Sequence, residues 1–440
     1  MQIDKLRETL TTKLTIMGKP LYIIAFGLIG CAALALSNRS TGPTAQLSKA
    51  LAAMDPEAIR AAVAAGRAAL GENAGEPEVA DAYRPVPADA KLLSRETAQR
   101  GFTPHFETLE KMRWWRIGVD PTTLTAPLRG AASVITGNVA AARARLDGAD
   151  RSLAVAQEAA DFLLWAQREA GSGVFPFPAA RKTSDAQAMK VAARFLSDAE
   201  KAGKLDTVMR RGWVFDDGKT GALQFDNGEC GAAMLDLYEF TRDGRYLASA
   251  LQAADWAMAQ PMCPNWNYNS FSVFLLGKAF AVTQDDKYLA AAVQKARLGV
   301  IPGQLTDGPR AGRWMDPHNA RPAYHYIMVR ALAQLAAVLP PKHPERAAVM
   351  ACLTSALKAR NMEMVSKGVM TKEHAMESLL MVRKQFREDA AFLRDTHTTA
   401  ALGAIGRLVS AESSNGRPPL APAAWGLFLE AIVSPPFPGP

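Results

Sequence analysis

Residues 314–326, WMDPHNARPAYHY, form a dense group of polar and aromatic side chains. Removing a proton next to a sugar carboxylate needs a His or Tyr as base and acid, and a polar or cationic group that neutralises the carboxylate. The candidate bases and acids are His318, Tyr324 and His325, and the candidate neutralising groups are Asn319 and Arg321. The pattern therefore predicts a site for elimination chemistry on an acidic sugar.

The same segment also has a purely structural interpretation. Asp316-Pro is a typical helix start, and a helix that begins there places Arg321, Tyr324 and His325 on neighbouring positions of one face. Asp316 would then cap the helix, and the His and Tyr side chains would satisfy buried hydrogen bonds. Because polar aromatic groups at a helix mouth are also frequent in binding sites, both interpretations stand at this stage.

Carboxylates offer a second chemistry. Hydrolysis of a glycosidic bond uses two carboxyl groups roughly 5 to 10 Å apart, one protonated and one ionised. Asp226 or Glu229, placed opposite Asp316, would supply such a pair. The competing interpretation is a capping box, with Asp226 at the N-cap and Glu229 at the third helical position, and the spacing favours this interpretation.

A third group, NWNYNS at residues 265–270, comes directly before a predicted helix. Trp and Tyr faces stack on sugar rings and Asn side chains bond hydroxyl groups, although an N-cap followed by core aromatics has the same pattern. His374 stands apart from these groups and is expected to be structural or exposed. The candidate saccharide-binding residues are Trp266, Asn267, Tyr268, Trp314, Asn319, Arg321 and Asn227.

A repeated phrase indicates which elements position these residues. TRDGRYLASA at 241–250 recurs as TQDDKYLAAA at 283–292, 42 positions later. A period of that size is typical of stacked helical hairpins, and no strand alternation appears, so we predict an all-α fold. If the short turns face one end, the long loops that carry the candidate residues gather at the other, where we expect the site.

Two segments resemble a known superfamily. QFDNGECGAAMLDLYEFTRDGRYL at 224–247 and LWAQREAGSGVFPF at 164–177 are similar to helix-pair phrases and turn junctions of the six-hairpin (α/α) toroid proteins. That superfamily includes glycoside hydrolases, polysaccharide lyases, uronyl epimerases and sugar 2-epimerases. The resemblance covers roughly residues 130–340 and implies a closed toroid of helical hairpins. It says little about the reaction, since these phrases are packing and turn signatures.

The N-terminus differs from the rest of the chain. Residues 20–37 are an uncharged apolar run that just reaches the length of a bilayer span, with four Lys and Arg residues before it and only Arg39 closely after it. We predict a cytoplasmic N-terminus at 1–19, a single inner-membrane anchor at 20–37 and export of the remainder, which is periplasmic in a Gram-negative cell. A lipoprotein lipidated on Cys31 and a cleaved secretory signal are the alternatives.

The exported part divides into two predicted regions. Residues 38–104 are expected to form a linker, a short helix from about Asp55 to Leu70 and an extended arm, and residues 105–440 the toroid domain. We call residues 72–104 the arm. Cys230 and Cys263 are predicted either to form a disulfide or to remain buried free thiols.

The net charge and the absence of certain motifs exclude some classes of ligand and cofactor. The net charge of +8 suits anionic headgroups or an acidic polysaccharide rather than nucleic acid. No phosphate loop or metal-binding spacing is present, so no cofactor or metal is expected. The leading hypothesis is a membrane-anchored, exported saccharide-binding protein that acts on an acidic polysaccharide as a lyase or hydrolase. The alternative is a non-catalytic accessory subunit that docks on a membrane protein complex.

Overall fold

The computed structural model describes residues 43–98, 113–145, 148–180, 187–413 and 420–433, together with residues 100, 107 and 111. The predicted anchor at 20–37, Cys31 and the first residues of the predicted toroid domain lie outside these ranges. Within them, no helix combines the length and the apolar character that a membrane crossing requires.

Helices dominate the described residues, as predicted. They are α1 (Pro43–Ala53), α2 (Pro56–Leu70), α3 (Arg129–Arg143), α4 (Ala149–Ala170), α5 (Gln187–Lys201), α6 (Leu205–Val208), α7 (Leu223–Thr241), α8 (Gly244–Ala259), α9 (Trp266–Thr283), α10 (Asp286–Gly299), α11 (Pro322–Val338), α12 (Arg346–Lys367), α13 (Lys372–Gln385), α14 (Ala390–Asp395), α15 (Thr398–Glu412) and α16 (Pro422–Val433). Three two-residue strands form one small antiparallel sheet in the order β1-β3-β2. They are β1 (Phe177–Pro178), β2 (Met209–Arg210) and β3 (Trp213–Val214). The sequence analysis did not predict this sheet.

The repeated phrase folds in the same way twice. Arg242 and Gln284 end α7 and α9 in the left-handed conformation, with φ of 61° and 57°. The following Asp243 and Asp285 cap α8 and α10 by accepting hydrogen bonds from the backbone amides two residues later. Each copy therefore reverses the chain in two residues and creates one antiparallel helical hairpin.

Six described helices close into an inner ring. Helix α3 packs on α7, α7 on α9, α9 on α11, α11 on α13 and α13 on α16, and α16 returns to α3. Helices α4, α8, α10, α12 and α15 each pack on the outside of the inner helix that precedes them, since each hairpin places its second helix outward. The predicted toroid is therefore confirmed by the contacts between the helices themselves.

Two glycines allow the ring to close. Gly137 of α3 and Gly426 of α16 bring the two backbones so near that a Cβ at Gly426 would lie 2.0 Å from the Gly137 carbonyl oxygen. A Cβ at Gly137 would lie 2.1 Å from the Pro422 carbonyl oxygen. A side chain at either position would push apart the first and last helices of the ring.

The connections separate into two ends, as the repeat predicts. Turns 242–243 and 284–285 lie where the inner helices finish, and the described parts of the longer connections 171–222, 260–265 and 300–321 lie where they begin. The predicted short helix is confirmed as α2, with Asp55 as its N-cap and Pro56 at its first position.

The arm then packs on the ring. Gly75 and Glu78 donate backbone hydrogen bonds to the carbonyls of Met315 and Pro317. Arg84 pairs with Val369 in an isolated antiparallel bridge. These contacts fix residues 75–84 of the arm against loop 300–321 and the residues before α13.

Candidate functional site

A cavity of about 590 Å³ lies inside the inner ring and is lined by residues of all six inner helices. We call it the central cavity. Its lining contains seven Arg or Lys residues and five Asp or Glu residues. Such a charged lining contrasts with the apolar packing between the inner and outer helices, where most of the buried hydrophobic core lies. The ring therefore encloses a cavity with charged groups on its wall rather than a filled core.

One guanidinium joins two carboxyl groups across the central cavity. Arg330 of α11 donates from Nη2 to Oε1 of Glu229 on α7, and its Nη1 lies 3.7 Å from Oε2 of Glu377 on α13. The guanidinium also lies 4.4 Å above the ring of Phe274 on α9. A single planar group therefore lies between the two carboxyls.

Burial gives these groups different protonation states. It raises the pKa of Glu377 to about 8, although the Arg330 charge opposes the shift and the Glu229 and Glu373 charges add to it. Burial also lowers the pKa of His374 to about 4, with a further contribution from Arg330. At neutral pH the site therefore holds a protonated Glu377 and a neutral His374.

Glu377 has an oxygen available for a ligand. Its Oε1 is buried and has no hydrogen-bond partner among the described residues. A protonated carboxyl in this position can donate to an acceptor that enters the cavity. The arrangement thus provides one proton donor and one carboxylate on a shared cation.

The start of α7 carries a second ion pair. Asp226 accepts hydrogen bonds from the backbone amide and the guanidinium of Arg129, at 3.1 and 2.6 Å. Burial raises the pKa of Asp226 and Arg129 opposes that shift. The predicted capping box is wrong. Helix α7 begins at Leu223, three residues before Asp226, and the backbone amide of Leu223 donates to Asp217.

The exposure of the lining shows where the cavity opens. The exposed side-chain fraction is 9% for Arg129 at the start of α3 and 42% for Glu239 near the end of α7, and Lys384 at the end of α13 is 68% exposed. The mouth therefore lies where the inner helices finish, at the end with the short turns. The expected site at the long-loop end is not where the central cavity opens.

The cavity is positively charged overall. Lys278 pairs with Asp236, and Arg143 lies 3.8 Å from Glu239. Lysines and arginines still outnumber ionised carboxylates once Asp226 is counted and Glu377 is protonated. An anionic ligand is therefore favoured over a cationic one.

The predicted cluster at 314–326 does come together, but the arm covers it. The rings of His318 and Tyr324 stack with centroids 4.6 Å apart. Glu78 of the arm pairs with Arg321 and lies 3.9 Å from Nδ1 of His318. Burial lowers the pKa of His318 and of Arg321. These side chains are buried at a contact within the chain, and none of them lines the central cavity.

Asp316 and Asn319 join neighbouring segments under the arm. The Asp316 carboxylate accepts from the backbone and side-chain amides of Asn319, whose own oxygen accepts from the backbone amide of Asn267. Burial raises the pKa of Asp316 against the effect of those bonds. Asp316 thus secures the turn before α11 and does not face Glu229 across the central cavity.

The other predicted residues are buried and bonded to backbone or packed in the core. His325 Nε2 lies 2.9 Å from the Ala356 carbonyl, and Trp314 donates to the Val300 carbonyl. Asn227 accepts from the Phe175 amide and donates to the Ala253 carbonyl. Trp266 and Tyr268 lie in the hydrophobic core. Of the predicted residues, Glu229 alone lines the central cavity, and Asp226 lies behind its wall.

Three titratable groups at the Arg330 site, namely Arg330 itself, His374 and Glu377, were not predicted. Arg330 lies within an apolar helical stretch that gave no signal, and His374 was expected to be structural or exposed. Glu373, His374 and Glu377 fall within one helical turn, so the sequence EHAME did contain an acid-rich face. The sequence alone does not show that this face of α13 lies opposite α7; the closed ring does.

No metal site emerges from the described part of the chain, where no three His, Cys, Asp or Glu side chains converge on a possible ion. Cys230, Cys263 and Cys352 are buried free thiols, so the possible Cys230 to Cys263 disulfide does not form.

No protein-family model and no curated protein matches the chain. Among solved structures it is similar to a glycosyl hydrolase of family 88 from Bacteroides vulgatus, with 12% identity and a TM-score of 0.48 over 78% of this chain and 98% of that one. It is also similar to an unsaturated glucuronyl hydrolase from Streptococcus agalactiae, with 12% identity and a TM-score of 0.44 over 80% and 97%. A polysaccharide lyase shows 14% identity and a TM-score of 0.43 over 77% and 96%. The closed ring is assigned from the helix contacts of this chain and not from these similarities.

Proposed function

We propose that this protein is a saccharide-processing enzyme that hydrolyses a glycosidic bond of an acidic saccharide in the central cavity. The observation that supports the proposal is the pair of carboxyl groups, Glu229 and Glu377, on the single guanidinium of Arg330. Hydrolysis needs one protonated and one ionised carboxyl. The raised pKa of Glu377 supplies the first.

In this mechanism, Glu377 gives its proton to the glycosidic oxygen, and the bond between that oxygen and the anomeric carbon breaks with its electron pair on the oxygen. Glu229 removes a proton from a water molecule whose oxygen bonds to the anomeric carbon, or it attacks that carbon first and water releases the sugar afterwards. One water molecule is consumed in either course. The carboxyl separation in the complex decides between them.

Arg330 supplies the reason for an acidic substrate. Its ion pair with Glu229 occupies one oxygen of that carboxylate. A sugar carboxylate that binds the guanidinium would compete for Arg330 and release Glu229 for catalysis. A neutral sugar cannot make that exchange, so we expect acidic saccharides to be processed faster.

The surroundings of the candidate bases favour hydrolysis over lyase chemistry. His318, Tyr324 and Arg321, the residues that predicted it, are buried beneath Glu78 of the arm. In the central cavity, His374 is a weak base because its pKa lies at about 4. The covered cluster is the observation that favours the second candidate function, a non-catalytic accessory subunit with a retained toroid fold.

We further propose that the protein is held in the inner membrane by residues 20–37, with the ring exported. The support is the sequence alone, namely the apolar run and the excess of Lys and Arg before it. In a Gram-negative cell, the central cavity would then meet polysaccharides outside the cytoplasm.

The test is a product assay of the full-length protein on acidic and neutral polysaccharides and oligosaccharides. It follows new reducing ends together with the ultraviolet absorbance of unsaturated uronates. Reducing ends without that absorbance are expected. A rise in both signals would show a lyase, and silence with stoichiometric co-purification of a membrane complex would favour the accessory subunit.

A further inference from the structure

A second cavity of about 770 Å³ lies on the outside of the ring, where the C-terminal ends of α1, α8 and α10 meet loop 215–219. We call it the side cleft. Its volume falls in the range of roughly 300 to 1,000 Å³ that is typical of small-molecule sites. It shares no lining residue with the central cavity.

Lys295 of α10 forms part of its wall and is only 4% exposed. Its Nζ donates one hydrogen bond, of 2.7 Å, to the Gln260 carbonyl oxygen. A lysine ammonium has three donors, and within the described ranges no carboxylate lies within 4.0 Å of Lys295. A buried ammonium without a counter-charge is costly, so an anion that entered the cleft would relieve that cost.

The two carboxylates in the lining are already engaged. Asp217 accepts from the backbone amide of Leu223, and Asp216 accepts from that of Gly218. Neither neutralises Lys295. An entering carboxylate is therefore the missing partner that the chemistry of this wall specifies.

The rest of the lining combines apolar surface with hydrogen-bonding groups. Trp256 and Met258 provide apolar surface, whereas Ser172, Gln260 and Gln294 offer hydrogen-bonding groups. A pyranose ring has both an apolar face and a rim of hydroxyl groups, so it can use both kinds of wall.

We propose that the side cleft is a second binding site for acidic saccharides, in which the sugar carboxylate accepts a hydrogen bond from Lys295 Nζ. The inference rests on the proposed substrate class, but it does not depend on the proposed reaction.

The experiment is isothermal titration of the full-length protein with trigalacturonate, in a Glu377→Gln background that suppresses turnover. Two binding sites are expected. Adding Lys295→Met should weaken one of them at least ~10-fold, since a charged hydrogen bond is lost, and adding Arg330→Met should weaken the other. Lys287→Met, on the same helix but outside the cleft, is the matched control and should change neither site.

The outcomes separate the two proposals. Binding unchanged by Lys295→Met, or no binding at all, overturns the side cleft. Binding that Lys295→Met abolishes and Arg330→Met spares supports the side cleft and contradicts the proposed reaction site. If Lys295→Met does not fold, Trp256→Ala serves in its place, and the fully methyl-esterified trisaccharide should bind the side cleft at least ~10-fold more weakly than the acid.

Discussion

Glu377 Oε2 lies 3.7 Å from Nη1 of Arg330, and yet burial raises the pKa of this carboxyl to about 8. The loss of water outweighs the effect of this cation, and the charges of Glu229 and Glu373 raise the pKa further. The proposed mechanism depends on the protonated carboxyl that results.

The raised pKa of Glu377 predicts a specific dependence of stability on pH. The folded state holds this proton up to about pH 8, whereas an ordinary carboxyl releases it near 4.5. The folded protein therefore binds more protons between these values, and its free energy of unfolding falls as the pH rises through that window. His374, with its pKa lowered to about 4 from 6.5, acts in the opposite direction only below about pH 6.5.

The window from pH 6.5 to 8 thus lies above the range in which His374 contributes, and comparison with Glu377→Gln isolates the contribution of Glu377. Relative to Glu377→Gln, the wild-type protein should lose up to about 2 kcal/mol of unfolding free energy across it. Denaturant unfolding at several pH values measures the difference. Glu388→Gln, whose side chain is 89% exposed, is the control and should follow the wild type. Parallel curves for wild type and Glu377→Gln would contradict the protonated carboxyl.

Closure of the ring predicts that Gly426→Ala is destabilising. The added methyl would meet the Gly137 carbonyl oxygen at 2.0 Å, so α3 and α16 must separate. We expect the free energy of unfolding to fall by at least roughly 1 to 3 kcal/mol, measured by thermal or denaturant unfolding.

Gly244→Ala is the matched control for this ring contact. Gly244 begins α8, and a Cβ there would meet no atom within 4 Å. Because Ala is the better helix former, this change should be neutral or slightly stabilising. Equal effects of the two substitutions would show that the ring does not close through Gly426.

Much of the architecture follows from local sequence. The two copies of the turn at 241–250 and 283–292 contain their own caps and left-handed residues, so the hairpins and the two ends of the ring were predictable. The central cavity was not. Helices α9 and α11 carry apolar residues on nearly every side, so the sequence does not indicate which face lines the ring.

The arm explains why segment 314–326 also has a structural role. Its residue types suit sugar chemistry, but Glu78 and Asp81, more than 200 positions away, supply the charges that pair with Arg321 and Arg360. No local pattern predicts a contact of that kind. The same side chains therefore fit a buried contact as well as they fit a site.

Removing the ion pair between Glu78 and Arg321 should lower the free energy of unfolding and leave catalysis in the central cavity unchanged. Glu78→Ala leaves the nearly buried Arg321 without its carboxylate, and we expect a loss of roughly 1 to 3 kcal/mol in unfolding free energy. Turnover in the central cavity should stay at the wild-type rate. Glu72→Ala, an exposed change elsewhere in the arm, is the control. New unsaturated-uronate absorbance in Glu78→Ala would instead reveal a lyase site beneath the arm.

The most direct test of the central claim is the turnover of an acidic saccharide by full-length wild type, Glu377→Gln and Glu388→Gln, measured as reducing ends. Gln keeps the size of Glu377 but has no proton to give to the glycosidic oxygen, so kcat should fall ~10² to 10⁴-fold while Glu388→Gln keeps the wild-type rate. Wild-type turnover in Glu377→Gln would contradict catalysis in the central cavity.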